Sequence, residues 1–180
     1  MRIIGGAFKS RIFRPAKNFK ARPTTDFARE NLFNILINRY DFENKRVLDL
    51  FSGTGSISFE FASRGCQNVT SVELDRFHHQ FICSVIEKLD LKRSVKALNV
   101  DVFKFISRTP EQYDLIFADP PYELNRIAEI PDLILNSNLL NIEGLFILEH
   151  GKTNDFSQHP LFRELRKYGS VHFSFFSRKE

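Results

Sequence analysis

The chain of 180 residues has no tryptophan, one methionine and two cysteines. Cys66 and Cys83 are too few for a disulfide-stapled fold and match no metal-ligand spacing, which suits a reducing, cytoplasmic setting. Cys83 falls in an apolar helical pattern and is expected to be a buried thiol. The five histidines are scattered; His78 and His79 are adjacent and point to different sides of any helix holding them, so no metal site is expected. No apolar run approaches the ~20 residues that cross a bilayer. The amino terminus lacks the apolar stretch of a secretory signal. No repeat, low-complexity segment or second folded domain is visible. With 42% apolar residues, the chain is long enough for one domain with a full core. Phenylalanine occurs 20 times against four tyrosines, a usage that reads as core filling.

The first 22 residues also lack acid. They carry seven cations, Arg2, Lys9, Arg11, Arg14, Lys17, Lys20 and Arg22, while the rest of the chain has 19 basic and 22 acidic side chains, a net of −3. The whole surplus behind the net charge of +4 therefore lies in residues 1–22. Such a block reads as a nucleic-acid-binding arm, with a solvated terminus as the plainer alternative. Arg2-Ile3-Ile4 and Arg11-Ile12-Phe13 flank Gly5-Gly6 and predict an ordered β-hairpin. Phe8, Phe13 and Phe19 are interleaved with the charges and are expected mostly to pack on the main domain, residues 23–180. That domain opens with Pro23, Thr24, Thr25 and Asp26, a set of helix-start residues, before a helical pattern from Phe27 to about Arg39. Ala28, Leu32, Ile35 and Leu36 form its apolar face.

Val47-Leu48-Asp49-Leu50 then runs into Phe51-Ser52-Gly53-Thr54-Gly55, the strand–turn–helix opening of a doubly wound α/β domain with a ligand at the strand's carboxyl end. Gly53 and Gly55 let backbone approach that ligand, while the third glycine of the dinucleotide fingerprint is missing. Asp49 stands where a dinucleotide places its pyrophosphate. Like charges ~4 Å apart cost several kcal/mol at intermediate dielectric, whereas the ammonium and sulfonium of S-adenosylmethionine are attracted. Val69 to Glu73 reads as a second strand whose terminal Glu73 can accept two ribose hydroxyls. Asp75 is better placed to cap the helix starting at Arg76. Val95 to Val100 reads as a third strand. Beyond it, Asp101 and the Val102 N–H can meet adenine, or Asp101 can simply cap the next helix. Thr24 and Thr25 offer hydroxyls to the methionine carboxylate, with plain helix capping the equal alternative.

Sixty-four residues after Gly55 the chain reads Asp119-Pro120-Pro121-Tyr122, after a buried-strand pattern from Tyr113 to Ala118. An exocyclic base amine is a poor nucleophile because its lone pair is delocalised. The Asp119 carboxylate and the Pro120 carbonyl can accept its two hydrogens and aim the lone pair at a methyl group. Pro120 and Pro121 lock φ and fix that carbonyl direction. Tyr122 offers a ring on which the base stacks, worth ~1–3 kcal/mol. The target must be unpaired or flipped out. Towards the carboxyl terminus, Leu145 to Glu149 reads as a strand, Leu161 to Lys167 as a short helix and Val171 to Phe176 as a last strand.

Taken together, Arg2-Ile-Ile-Gly-Gly, Arg22-Pro-Thr-Thr-Asp26, Arg29-Glu-Asn-Leu-Phe-Asn34, Leu48-Asp-Leu-Phe-Ser-Gly-Thr-Gly55 and Asp119-Pro-Pro-Tyr122 resemble the bacterial family that methylates the N2 amine of one guanine in 16S ribosomal RNA. The likeness covers nearly the whole chain and is most specific in the arm and Arg22-Pro-Thr. It implies a class I methyltransferase fold of seven strands with the last antiparallel, S-adenosylmethionine as donor, and action on a ribosomal assembly particle in the cytoplasm. It places Asp49, Ser52, Gly53 and Gly55 on the donor loop, Glu73 at the ribose, and Asp119 to Tyr122 in the catalytic motif. Members often carry Phe at the place of Tyr122, whereas Tyr occurs there in adenine-N6 methyltransferases. Two other readings therefore stay open: an adenine-N6 methyltransferase, and a non-catalytic RNA-binding factor on the same fold. Adenine-specific DNA enzymes generally add a target-recognition domain, for which no stretch here is long enough. A single domain with a short basic arm needs its RNA presented already folded. A monomer is the simplest assembly.

Overall fold

The apolar runs of the sequence become β1 (Arg46–Leu50), β2 (Asn68–Glu73), β3 (Val95–Asn99), β4 (Tyr113–Ala118) and β5 (Leu140–His150), all parallel. The computed structural model describes residues 1–15 and 25–178. Two further strands, β6 (Phe162–Tyr168) and β7 (Val171–Ser177), close the sheet, and β7 lies antiparallel between β5 and β6. The order is β3-β2-β1-β4-β5-β7-β6. The strand sequence reverses direction between β1 and β4, the place where doubly wound sheets open a crevice at their carboxyl ends.

Helices α1 (Asp26–Ile37), α2 (Ser56–Ser63), α3 (Arg76–Lys88), α4 (Val102–Arg108) and α5 (Ile130–Leu135) cover the two faces. Side-chain alternation along each strand divides the core. Val47, Leu115, Phe117 and Ile147 pack with α1, α2 and α3, whereas Leu48, Leu50, Ile116 and Leu148 pack with α4 and α5. Phenylalanine fills both layers, as its usage suggested. Phe33, Phe42 and Phe61 meet edge-on with ring centroids 4.8 to 6.3 Å apart.

Leu161 to Lys167, expected as a short helix, is instead the edge strand β6. Leu161, Leu165 and Tyr168 recur at helical spacing, which misled the periodicity argument. The pairing with β7 overrides it, helped by a register shift between Phe162 and Glu164. The charged side chains of this strand keep the sheet edge from pairing with other chains. Cys66 is buried as a small hydrophobe, but Cys83, also expected inside, is only half-buried, its sulfur 3.6 Å from His79 Nε2.

The basic amino-terminal segment makes a hairpin with one β-bridge, Arg2 to Ile12. The Ile3 N–H donates to the Arg11 carbonyl at 3.0 Å, and the Ser10 N–H returns to Ile3 at 2.8 Å. Ile3 is buried in the main core, so this hairpin is part of the domain. Its turn is tied to the end of α2, where the Ala7 N–H donates to the Ser63 carbonyl at 2.7 Å and the Phe8 N–H to Ser63 Oγ at 2.9 Å. Gly6 adopts φ 72° against the Ser63 carbonyl, where a Cβ would overlap backbone. Beneath the turn, fully buried Glu60 pairs with Arg64, lies 3.6 Å from Arg29 Nε and accepts the Ile4 N–H. Arg29 also donates to the Arg2 carbonyl at 2.6 Å and to Asp26 at 2.7 Å. Arg2 itself pairs with Asp26 at 2.8 Å. Lys9, Arg11 and Arg14 are exposed. Lys17, Lys20, Arg22 and Thr24 lie outside the described residues.

Candidate active site

The order β3-β2-β1-β4 sets Asp101, Glu73, Asp49 and Asp119 side by side at the carboxyl edge of the sheet. At roughly 4.8 Å between strands the row spans about 15 Å, enough for an extended nucleoside-like ligand and the atom it reacts with. The loop after β1 is shaped by backbone. Phe51, Gly53 and Gly55 have φ of 59°, 53° and 72°, and the positive φ of Phe51 is uncommon for a residue with a side chain. A Cβ on Gly55 would press on Phe59 and Ile82, so the loop closes only around glycine. Ser52 is turned inward. Its hydroxyl donates to the Asp49 carbonyl at 2.8 Å and its N–H to the Val72 carbonyl at 3.1 Å, bracing the loop between strands.

Asp49 is buried beneath this loop, where Oδ2 accepts from Ser58 N–H at 3.1 Å and Ser58 Oγ at 2.6 Å. Burial pushes its carboxyl up to about 7, against the pull of the Ser58 hydrogen bonds. The protein holds a carboxylate there that is costly without a cation nearby, which fits a positively charged ligand. Because the folded pKa lies above the ordinary carboxylate value, the neutral form's stabilising contribution is lost as pH rises from about 4 to about 7. That gap is worth on the order of a few kcal/mol. Asp49→Asn is therefore expected to raise the melting temperature of the ligand-free protein at pH 8, while weakening S-adenosylmethionine binding. Wild-type affinity for the donor should rise as pH passes through 7. Thermal melts with and without donor across pH check this; an Asp49→Asn protein that melts lower and binds equally well contradicts it.

Glu73 ends β2 with its carboxylate braced on both sides. Oε2 accepts the Gly53 N–H at 2.7 Å and Oε1 the Asp75 N–H at 2.7 Å. Asp75 caps α3, accepting from Phe77 at 2.8 Å and His78 at 3.0 Å. Asp101 caps α4 through the Lys104 N–H at 2.9 Å, directly before buried Val102. Thr25 caps α1 through the Ala28 N–H at 3.2 Å. Both capping alternatives are thus realised. A line of side chains beside Asp101 was not legible in the sequence. Phe51 meets Phe103 edge-on at 6.3 Å, and the Arg126 guanidinium sits 4.0 Å over the Phe103 ring. Only the aromatic at the strand end, Phe51, carried a signal for it.

The second motif is anchored to the first. The Asp119 N–H donates to the Leu50 carbonyl at 3.2 Å, so Asp119-Pro-Pro-Tyr begins against the end of β1, where the glycine loop also begins. Pro120 is buried, and Pro121 and Tyr122 are exposed. The Tyr122 ring faces Gly151 beyond β5, where an added Cβ would lie 3.5 Å from it. At that distance a Cβ at position 151 would make ordinary van der Waals contact with the ring.

Residues 1–177 match the family described as Conserved hypothetical protein 95. The chain is 29% identical to Ribosomal RNA small subunit methyltransferase D of Buchnera aphidicola, covering 98% of this chain and 91% of that protein. It is 28% identical to the protein of the same name in Escherichia coli K12, over 89% of this chain and 79% of the other. A solved structure of a hypothetical protein from Thermus thermophilus superimposes with a TM-score of 0.86 at 27% identity, covering 98% of this chain and 99% of that one. With the seven-stranded sheet and the paired motifs at its carboxyl edge, these matches place the chain in the Conserved hypothetical protein 95 family, the RsmD-type class I methyltransferases.

Proposed function

We propose that this chain transfers a methyl group from S-adenosylmethionine to the exocyclic N2 amine of a guanine in 16S ribosomal RNA, within an assembled small subunit. The row of four strand-end acids, continuous from Asp101 to Asp119, carries the reading. It suits adenine, ribose and a cationic methionine end on Asp101, Glu73 and Asp49, with a base amine delivered at Asp119. The relatives named as small-subunit rRNA methyltransferases support the substrate class.

The bound donor supplies a methyl carbon on sulfonium, open to in-line displacement. Glu73 accepts the ribose hydroxyls beside the Gly53 N–H, the Asp101 carboxylate and Val102 N–H meet the adenine edge, and Phe51 and Phe103 wall that end. Asp49 offsets the ligand's positive charge from below. Thr25, with Thr24 before it, stands for the methionine carboxylate. Asp119 and the Pro120 carbonyl hold the two amine hydrogens, and the proton released on methylation passes towards Asp119. Most of the rate comes from alignment, which the two prolines keep rigid. Lys9, Arg11 and Arg14, with Lys17, Lys20 and Arg22 after them, supply contacts to phosphate. Arg2, committed to Asp26, contributes mainly to holding the hairpin.

Labelled donor offered to small subunits, naked 16S rRNA and DNA tests the substrate. Preferential labelling of subunits is expected, and labelling of DNA instead contradicts the reading. Tyr122 keeps adenine-N6 methylation as the rival outcome, since tyrosine stands at that place in such enzymes. If the ring only stacks, Tyr122→Phe leaves turnover within about twofold, while Tyr122→Ala raises KM for RNA by the equivalent of ~1–3 kcal/mol. Equal loss in both variants would instead assign the phenolic hydroxyl a role.

A further inference from the structure

From the amino ends of the strands along β3 and α4 runs a second concentration of positive charge. Beyond residue 22 the chain is net −3. Even so, two adjoining grooves of about 280 and 180 Å³, sharing Thr70, Lys96, Glu111 and Tyr113, are lined by Arg46, Lys92, Arg93, Lys96, Lys104 and Arg108 against one acid, Glu111. Glu111 is already paired with Arg46 at 2.5 Å, and Lys92 reaches Glu87 at 3.4 Å. Among the described residues, Arg93, Lys96, Lys104 and Arg108 join no ion pair. All four are exposed.

Lys104 and Arg108 are like charges one turn apart on α4, a spacing that costs helix stability unless an anion lies between them. Lys96 faces the same groove from β3. The floor is Leu98, Val100 and Phe105. Cations drawn from a strand, a helix and the loop before β3 follow the length of a groove and do not converge on one point. That pattern suits an extended polyanion with apolar sugar faces more than a single phosphate ion. The groove runs from Arg46 and Arg93 at the amino ends of the strands up β3 to Val100, one residue before Asp101. With β1 and β4 five and six residues long, its far end lies about 20 Å from the carboxyl edge at about 3.3 Å per residue. A single flipped nucleotide does not span that distance; a folded RNA does.

We propose that this groove is a second RNA-contact surface, gripping the phosphodiester backbone of the rRNA substrate along β3 and α4, outside the pocket for the target base. It rests on the rRNA reading above and adds a site that explains how a small domain holds a large folded substrate. The test is the triple variant Arg93→Gln, Lys96→Gln, Arg108→Gln, with Arg163→Gln, Arg166→Gln, Lys167→Gln as a control of equal net charge. Binding to small subunits is measured over a range of salt, beside donor affinity and turnover at saturating substrate. The groove variant should lower the slope of log affinity against log salt by about two to three and raise KM for the subunit on the order of tenfold. Its kcat and donor affinity should stay at the wild-type values, and the control should change little. A slope equal to wild type, or an equal loss in the control, overturns the proposal while wild-type rRNA methylation leaves the substrate reading intact. A change seen with duplex DNA but not with subunits also overturns it. Absence of rRNA binding by the wild type removes both readings together.

Discussion

Asp119→Ala is expected to lower methyl transfer on the order of a thousandfold or more while leaving donor affinity within a few-fold. The substitution spares the backbone tie that positions the loop. Asp119 is tied to Leu50 through its backbone N–H, and Pro120 and Pro121 keep their restricted φ. The loss therefore reports the carboxylate alone, the acceptor that orients the amine and receives its proton. Asp119→Asn keeps an acceptor but not the charge. A charge-assisted hydrogen bond is roughly twice as strong as a neutral one, so this variant should retain more activity than alanine and still fall about tenfold or more below wild type. Single-turnover rates at saturating donor, with donor binding by calorimetry, separate the two effects. Turnover of Asp119→Ala near wild type would remove the residue from the chemistry.

The largest effect on stability is expected at Glu60. It is fully buried, pairs with Arg64 and Arg29 and accepts the Ile4 N–H, so it joins α1, α2 and the amino-terminal hairpin. Glu60→Ala leaves buried Arg29 without its internal counter-charge, a kind of change that costs about 3–5 kcal/mol. In a domain of this size each kcal/mol moves the melting temperature by roughly 2–4 °C, so a drop near 10 °C is expected. The hairpin should also loosen, exposing the bonds after Lys9 and Arg11 to trypsin under native conditions. A melting temperature within about 2 °C of wild type, with unchanged proteolysis, would mean that Asp26 alone holds Arg29.

The carboxyl edge of the sheet was largely legible because its residues are constrained by local backbone. Asp49, Gly53, Gly55 and Glu73 stand at strand ends or tight turns, where apolar runs and glycines mark position directly. Asp119-Pro-Pro-Tyr was legible for the same reason. β6 was not, because its apolar residues repeat at a helical interval and only the neighbouring β7 decides the outcome. The Glu60 network was invisible as well. A glutamate within Ser56-Ile-Ser-Phe-Glu-Phe reads as a surface position until the hairpin, some 56 residues away, is seen to cover it. The groove along β3 and α4 joins cations from β3, α4 and the loop before β3, which no single window of sequence contains. Ser52 shows a different limit, since its place in the motif was plain while the inward turn of its hydroxyl was set by Val72.

The central claim concerns one atom of one base. The most direct test compares 16S rRNA nucleosides by mass spectrometry in cells lacking this gene, after complementation with wild type or with Asp119→Ala. The account predicts that N2-methylguanosine falls in the deletion, returns with wild type and does not return with the variant. An unchanged N2-methylguanosine content in the deletion, or its return with Asp119→Ala, would contradict it.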